Sequence, residues 1–424
     1  MKLLFEPSRE LPLAQLVVTF RVGGVHDPVG LEGLSRLTAR MLRRGTRTMS
    51  GEALEERIDG LGAEFGAHVG LGSTTVGIET VTRSLDEAAS IVAEVLAEPS
   101  FDEGEFEKLK RQTEAEIVAS RDDDDSLGAR ALRRHLFSGH PHGRRVQGSS
   151  ASVRAVTRDD VVRQHRRAFT RDNAVIAIGG AVDAEMAERI AERLVAGLPR
   201  GESLGYGVRE PQSRDGRRLV IVDKPDRSQC QLGIGTLGVS PADDDYVPMM
   251  LANTVFGGMF TSRLNQEIRV KRGWSYGASS GLATGRVREA FTIGSAPSVE
   301  DAVACLELEL GLLEAFVRDG IDEAELAFAR DYIRRSYAFE VDTAKKRLQQ
   351  RLDRALLELP DDFHTAMLER MTSVTVEETN RALRRRIDPA ALWVSAVVTA
   401  GELEDALRRV TPWTEVVVEP YDRD

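Results

Sequence analysis

The sequence predicts an α+β fold built twice: two similar units, each a mostly antiparallel sheet packed against helices. Three observations predict it. In each half, strand-like runs come first and helical periodicities cluster after them, the order of α+β chains. Two stretches recur at nearly constant separation: Phe101-Asp102-Glu103-Gly104-Glu105-Phe106 parallels Ile321-Asp322-Glu323-Ala324-Glu325-Leu326 at an offset of 220, and Val156-Thr157 parallels Val374-Thr375 at an offset of 218. A shared order at one spacing is the mark of duplication. Finally, Leu198 to Arg218 is rich in Pro, Gly and charge, as an exposed linker is. The boundary is placed near residue 210, giving units 1–209 and 210–424.

The elements follow in order. Leu16 to Val22 is apolar and β-branched, and is predicted as a strand. Leu31 to Arg44 carries Leu34, Leu37, Met41 and Leu42 at helical spacing. A second helix is predicted over Gly51–Leu61, with Ser50 as N-cap. A strand over Val76–Val81 and helices over Leu85–Ala97 and Phe106–Ser120 come next, and the apolar run Ala174–Ile178 closes the half. In the second half, Leu219–Val222, Gln231–Leu237 and Phe291–Gly294 read as strands. Tyr246–Val255, Val299–Val317 (N-cap Ser298) and Glu323–Lys345 read as helices, and Ala391–Val398 is the matching apolar run.

Composition limits the function. The 424 residues carry a formal net charge of -11, which argues against a nucleic-acid binder. The run Arg384-Arg385-Arg386 sits in a helical pattern and reads as a solvated face. Cys230 and Cys305 lie in apolar patterns and read as buried thiols, not as a disulfide framework. The first residues lack the basic-then-apolar pattern of a secretory signal, and no apolar run has transmembrane length. The expectation is a cytoplasmic protein without a membrane partner, or a periplasmic one had a signal been removed.

The residues then resemble a known family. Gly33-Leu34-Ser35-Arg36-Leu37-Thr38-Ala39-Arg40-Met41-Leu42, followed by Arg43-Arg44-Gly45-Thr46, is similar to the first-helix motif of the M16 (pitrilysin-like, mitochondrial-processing-peptidase-like) peptidases. The similarity continues through Gly139-His140-Pro141-His142-Gly143 and Arg171-Asp172-Asn173-Ala174, and covers essentially the whole chain. Catalytic relatives carry an inverted zinc motif, His-x-x-Glu-His, on that helix. Two histidines four apart share a helical face and bind one metal, and the glutamate serves as general base. The matching positions here are Arg36, Ala39 and Arg40, and the family's downstream glutamate is matched by Glu116. A protonated arginine has no lone pair for zinc, and a methyl group accepts no proton. The resemblance therefore implies a degenerate zinc site, with no metal and no catalytic residue in this chain. Arg36 and Arg40 have two readings, a charged face left after loss of catalysis or a salt bridge from one of them to Glu116.

No other metal motif is present: there is no His-Glu-x-x-His and no Cys cluster, and His140 and His142 read as surface or turn residues. Gly257-Gly258 lacks the Lys-Ser/Thr of a phosphate loop and reads as a tight turn. The segment from Gly257 to Tyr276 is the most family-like stretch. In the family, an arginine and a tyrosine seven residues apart bind substrate, and Arg269 and Tyr276 match both in type and spacing. An arginine fork suits a peptide carbonyl or carboxylate, and a phenol can meet a developing oxyanion.

This pattern implies a division of labour. The chain would be the non-catalytic, substrate-binding subunit of a heteromeric M16B-type peptidase, inactive alone. Its partner would be a zinc-motif homologue that carries the metal, and a peptide would be clamped between them. Phe65 to Thr75 resembles the family's edge strand, to which a peptide can add; with no zinc in this chain, the edge used would be the partner's. The alternative is a structural or assembly protein of the same fold, like the non-proteolytic core subunits of a respiratory complex.

Overall fold

The computed structural model describes residues 2–424. The first half holds strands β1 (Lys2–Pro7), β2 (Leu13–Phe20), β3 (Glu64–Val69), β4 (Thr74–Val81) and β5 (Ala174–Gly180). Its helices are α1 (Leu34–Met41), α2 (Gly51–Gly60), α3 (Leu85–Ala97), α4 (Glu103–Ala119), α5 (Asp124–Leu136), α6 (Ser150–Ala155), α7 (Arg158–Ala168) and α8 (Ala184–Ala196). The second half holds β6 (Gly216–Asp223), β7 (Gln231–Leu237), β8 (Ala278–Leu282), β9 (Ala290–Ser295), β10 (Ala391–Val398) and β11 (Glu415–Pro420). Its helices are α9 (Tyr246–Asn253), α10 (Arg263–Asn265), α11 (Ala302–Asp319), α12 (Glu323–Glu340), α13 (Ala344–Leu356), α14 (Phe363–Ser373), α15 (Val376–Arg386) and α16 (Ala400–Leu407).

The strand orders repeat. The first sheet runs β1-β5-β2-β4-β3 and the second β11-β6-β10-β7-β9-β8. Without β11, each strand of one sheet has its counterpart in the other. In each, one parallel pair (β1 with β5, β6 with β10) joins an otherwise antiparallel ladder, apart from the extra parallel pairing of β11 with β6. The α+β class expected from the sequence is thus the class observed.

The reason β5 and β10 are apolar almost throughout is that both faces of each sheet are covered. One face carries the half's own core, such as Val18, Ile176 and Val92 in the first half. The other face is covered by a helix from the opposite half. On α13, Leu348 and Leu352 pack against Leu4, Val175 and Ala177 of the first sheet. On α5, Leu127 and Leu132 pack against Val220, Trp393 and Val397 of the second. A Cβ at Gly235 of β7 would stand 3.1 Å from Leu132, so glycine permits α5 to lie this close. These exchanged helices are themselves duplicates: α13 begins at 344 and α5 at 124, again 220 apart.

Several elements depart from expectation. The helix expected over Glu323–Lys345 breaks between Glu340 and Ala344, where Thr343 caps a new helix through its side chain. That break turns α13 across to the first sheet. Asp301, not Ser298, stands at the N-cap of α11; Ser298 Oγ instead accepts from the Asp301 amide at 3.3 Å, one turn earlier. The helix expected over Leu31–Arg44 starts only at Leu34, after Gly33 at φ +98°, and tightens to a 3-10 turn over Leu42–Arg44. α9 gives way at Thr254 to a π-helical turn through Gly258. Arg385 and Arg386 are not merely solvated, for both bind the buried Asp245 carboxylate. Cys230 and Cys305 are free and buried. Among the described residues, no helix is long and apolar enough to cross a membrane.

Candidate functional site

α1 is fixed before any chemistry begins. Gly33 takes a left-handed turn that a side chain would resist. The Asp27 carboxylate then accepts from the Gly33 and Ser35 amides, each at 3.0 Å, and from Ser35 Oγ at 2.5 Å. It thereby fills the role of a capping side chain that Gly33 lacks. Burial raises the Asp27 carboxyl to about 6 against these hydrogen bonds. Leu34, Leu37 and Met41 face Phe106, Leu109 and Ile117 of α4, which locks the two helices together.

The opposite face of α1 carries Arg36 and Arg40, four apart, and both turn onto Glu116 of α4. Arg40 donates to Glu116 Oε1 at 2.6 Å and Oε2 at 2.9 Å, and to Thr113 Oγ1 at 2.9 Å. Arg36 reaches Glu116 Oε2 at 3.2 Å. So both arginines, not one, form the bridge. Burial alone would raise the Glu116 carboxyl; the bonds and charge of Arg40, then Arg36, hold it below its usual range. Burial and the neighbouring Arg40 lower Arg36. Ala39 is buried, at 1% exposure.

These side chains do not fit a zinc ion. Two guanidiniums would repel it, and the one carboxylate is already occupied by them. Nor, among the described residues, does any group of three His, Cys, Asp or Glu stand close enough to hold a metal. Beside Ala39 and Arg40 opens a cleft of about 1160 Å³, bounded by Ala67 of β3, Arg44, Glu55 and Lys108. β3 is an edge strand, shorter than the stretch expected over Phe65 to Thr75, because residues 70–73 turn back into β4.

Arg269 and Tyr276 lie together on the second half. Arg269 sits in a π-helical turn over Gln266–Val270, and Gly273 at φ +68° reverses the chain towards Tyr276 and edge strand β8. The guanidinium stands 4.7 Å from the Tyr276 ring centroid and 4.9 Å from that of Phe260. Tyr276 is 89% exposed and Phe260 64%. This arginine is stacked rather than salt-bridged, so its donors remain available. No hydrogen bond or ion pair among the described residues links this pair to Arg36, Arg40 or Glu116.

Sequence reasoning missed three residues. Phe260 forms the second wall around Arg269, yet nothing in the sequence distinguishes it from a core aromatic. Asp27 supports α1 from eight residues away. His142 was expected at the surface or in a turn; it lies in the turn over Pro141–Gly143, and its full burial is what sequence reasoning missed. Its Nδ1 lies 2.8 Å from Glu289 and its Nε2 2.6 Å from the Tyr206 hydroxyl. The imidazole is thus held between the Glu289 carboxylate and the Tyr206 hydroxyl.

Comparison with known proteins places this arrangement. Residues 4–150 match the family model described as insulinase (peptidase family M16), and residues 155–333 match the peptidase M16 inactive domain. The chain is 21% identical over 378 residues to the non-peptidase homolog YmxG of Helicobacter pylori, covering 89% of this chain and 87% of that one. It is 28% identical over 382 residues to a Mycobacterium tuberculosis protein named uncharacterized zinc protease Rv2782c, covering 88% and 85%. In structure, it is similar to a peptidase M16 inactive domain from Pseudomonas fluorescens, with a TM-score of 0.86, 25% identity and coverage of 93% and 95%. The chain belongs to the M16 peptidase family.

Proposed function

We propose that this chain is the non-catalytic, substrate-binding subunit of a two-chain M16 peptidase, and that Arg269 and Tyr276 present a peptide to zinc held by a homologous partner. The observation that carries the reading is a contrast within one molecule. On the α1 face Arg36 and Arg40 are spent on Glu116, whereas exposed Tyr276 and the Arg269 stacked on it keep their donors unspent. A metal position filled by the chain's own cations, in a chain that keeps an unspent substrate-binding pair, is the division expected of a subunit that binds and does not cleave. The free edges β3 and β8 offer backbone groups to an extended peptide. The test is purification with a zinc-motif homologue from the same source. A stable hetero-complex that cleaves peptides, while this chain alone does not, supports the reading. Cleavage by the homologue alone at the rate of the mixture refutes it.

One observation favours the assembly-protein reading. α12 turns Phe328, Tyr332 and Phe339 outward, at 54%, 44% and 70% exposure, around a shallow cavity of about 710 Å³. Such an apolar stripe suits a permanent partner surface. A hetero-complex that forms but hydrolyses nothing would favour it.

A further inference from the structure

Where α5 and the loop before α6 meet the end of the chain, arginines gather with too few carboxylates. A cleft of about 830 Å³ is lined there by Arg130, Arg133, Arg134, Arg144 and Arg145, with Ser126 and Ser149 beside them. Arg133 is paired with Glu289, and Arg134 with Glu419. Arg130, Arg144 and Arg145 make only neutral contacts: to Ser120 Oγ, to the Asp27 carbonyl, and to Ser120 Oγ and Gln147 Oε1. Arg145 Nη1 and Arg121 Nε are buried without any acceptor. Buried donors left unpaired are costly, and native proteins satisfy nearly all of them.

The acids facing this cluster do not balance it. Glu419 is shared among Arg134, His135 and Arg423. Glu32 turns its carboxylate to the Gly30 amide. Asp424 accepts from Arg121 and the Ser150 amide, each at 2.9 Å, so its side chain is already engaged. Burial and then Arg130 push Arg145 down to about 10, and burial and Arg134 lower Arg130. In a chain of net charge -11, such crowding of one sign calls for a counter-anion.

We propose that this cleft is a binding site for a small multivalent phosphate anion, seated by Arg130, Arg144 and Arg145, with Asp424 and its partner Arg121 alongside. Planar guanidinium forks match phosphate oxygens two at a time, and convergence of several selects an anion of more than one charge. The cleft exceeds a single phosphate in size, so a diphosphate or a small phosphorylated molecule fits its volume. The site lies apart from Arg269 and Tyr276 and shares no residue with the α1 face.

The experiment is titration calorimetry of the full chain with inorganic pyrophosphate, with citrate and with sodium chloride at matched ionic strength. One saturable pyrophosphate site is expected, with citrate at least about tenfold weaker. The double variant Arg130→Gln/Arg145→Gln should lose at least about tenfold in affinity while keeping or raising its melting temperature, because it relieves repulsion. Arg145→Lys keeps the charge but loses the fork, and should weaken binding several-fold even if the double variant folds poorly. Asp424→Asn should tighten binding by removing the competing carboxylate. The proposal is overturned by any of three results: no saturable binding at millimolar pyrophosphate, equal binding of citrate, or unchanged affinity in both arginine variants.

Discussion

The Arg40 guanidinium grips Glu116 through two contacts, 2.6 Å to one oxygen and 2.9 Å to the other. With Arg36 also on that carboxylate, the α1 face holds its own cations where a metal would need ligands. The purified chain should therefore retain well under one zinc after dialysis, read by elemental analysis. Arg36→His/Arg40→His removes both charges, frees Glu116 and puts two imidazoles four apart on one helical face. That variant should gain up to one equivalent. A full equivalent on the unaltered chain would contradict the reading of this face.

Glu116→Gln tests the same contacts from the other side. It leaves Arg36 and Arg40 close together with a neutral partner. The Glu116 side chain is 39% exposed, so solvent screens much of the loss. A destabilisation of about 1–2 kcal/mol in urea unfolding is expected. A value near zero would make the bridge an exposed ornament of the helix face.

Glu309 on α11 is fully buried, and neither carboxylate oxygen has a hydrogen-bond partner. Burial pushes its carboxyl up to about 7; nearby Ser295 opposes this, but its Oγ also lies 3.7 Å from the Cys305 sulfur. Since the folded value lies above the unfolded one, this group penalises folding as pH rises. The loss begins near the unfolded value, grows until about pH 7 and is then constant. Glu309→Gln should remove that slope, so its stability relative to the parent should improve by on the order of 3 kcal/mol between pH 4.5 and pH 8. Parallel stability–pH curves for the two proteins would show that Glu309 does not titrate in this way.

Glu289 behaves in the opposite sense. Burial would raise it, but the His142 bond and the Arg133 charge outweigh burial and hold it low. Its stabilisation is present above the unfolded carboxylate value and is lost as pH falls through the lower folded one. Glu289→Ala strands a buried imidazole and an arginine, so about 3 kcal/mol or more should be lost near neutral pH. An effect under 1 kcal/mol would mean that Tyr206 alone satisfies His142.

Much of this was legible in the sequence because it depends on short-range patterns. β7 and α3 begin and end where alternation and helical spacing place them, and the offset of 220 between halves reappears in the strand orders and in α5 and α13. The crossing of those helices was not legible. Nothing local to Thr343 says that the chain leaves its own half, since what decides it is the uncovered back of a distant sheet. Arg36, Ala39, Arg40 and Glu116 were singled out by the resemblance to the family's zinc motif, but that both arginines bind Glu116 depends on the packing of α1 on α4. His142 does lie in a turn, but its burial was not legible, because it comes from the second half and Tyr206 closing over it.

Arg269 and Tyr276 give the last prediction. Their stacking at 4.7 Å orders two side chains whose donors make no hydrogen bond among the described residues. If they serve a substrate, their effect must appear in turnover by a hetero-complex and not in the stability of this chain. Tyr276→Phe removes only the hydroxyl; the ring still lies over the guanidinium, and a side chain that is 89% exposed contributes little to folding. The melting temperature and partner affinity of the variant should therefore match the parent. Loss of one donor to a developing oxyanion costs about 3 kcal/mol, so kcat should fall on the order of 100-fold. Arg269→Ala removes the fork that would hold a peptide carbonyl or carboxylate, and should raise KM as well as lower kcat. Phe260→Leu separates the two roles: it keeps both donors but loosens the arginine, so a loss intermediate between parent and Arg269→Ala is expected. Unchanged hydrolysis in both Tyr276→Phe and Arg269→Ala, with the complex intact, would leave α12 and the assembly role as the better account of this protein.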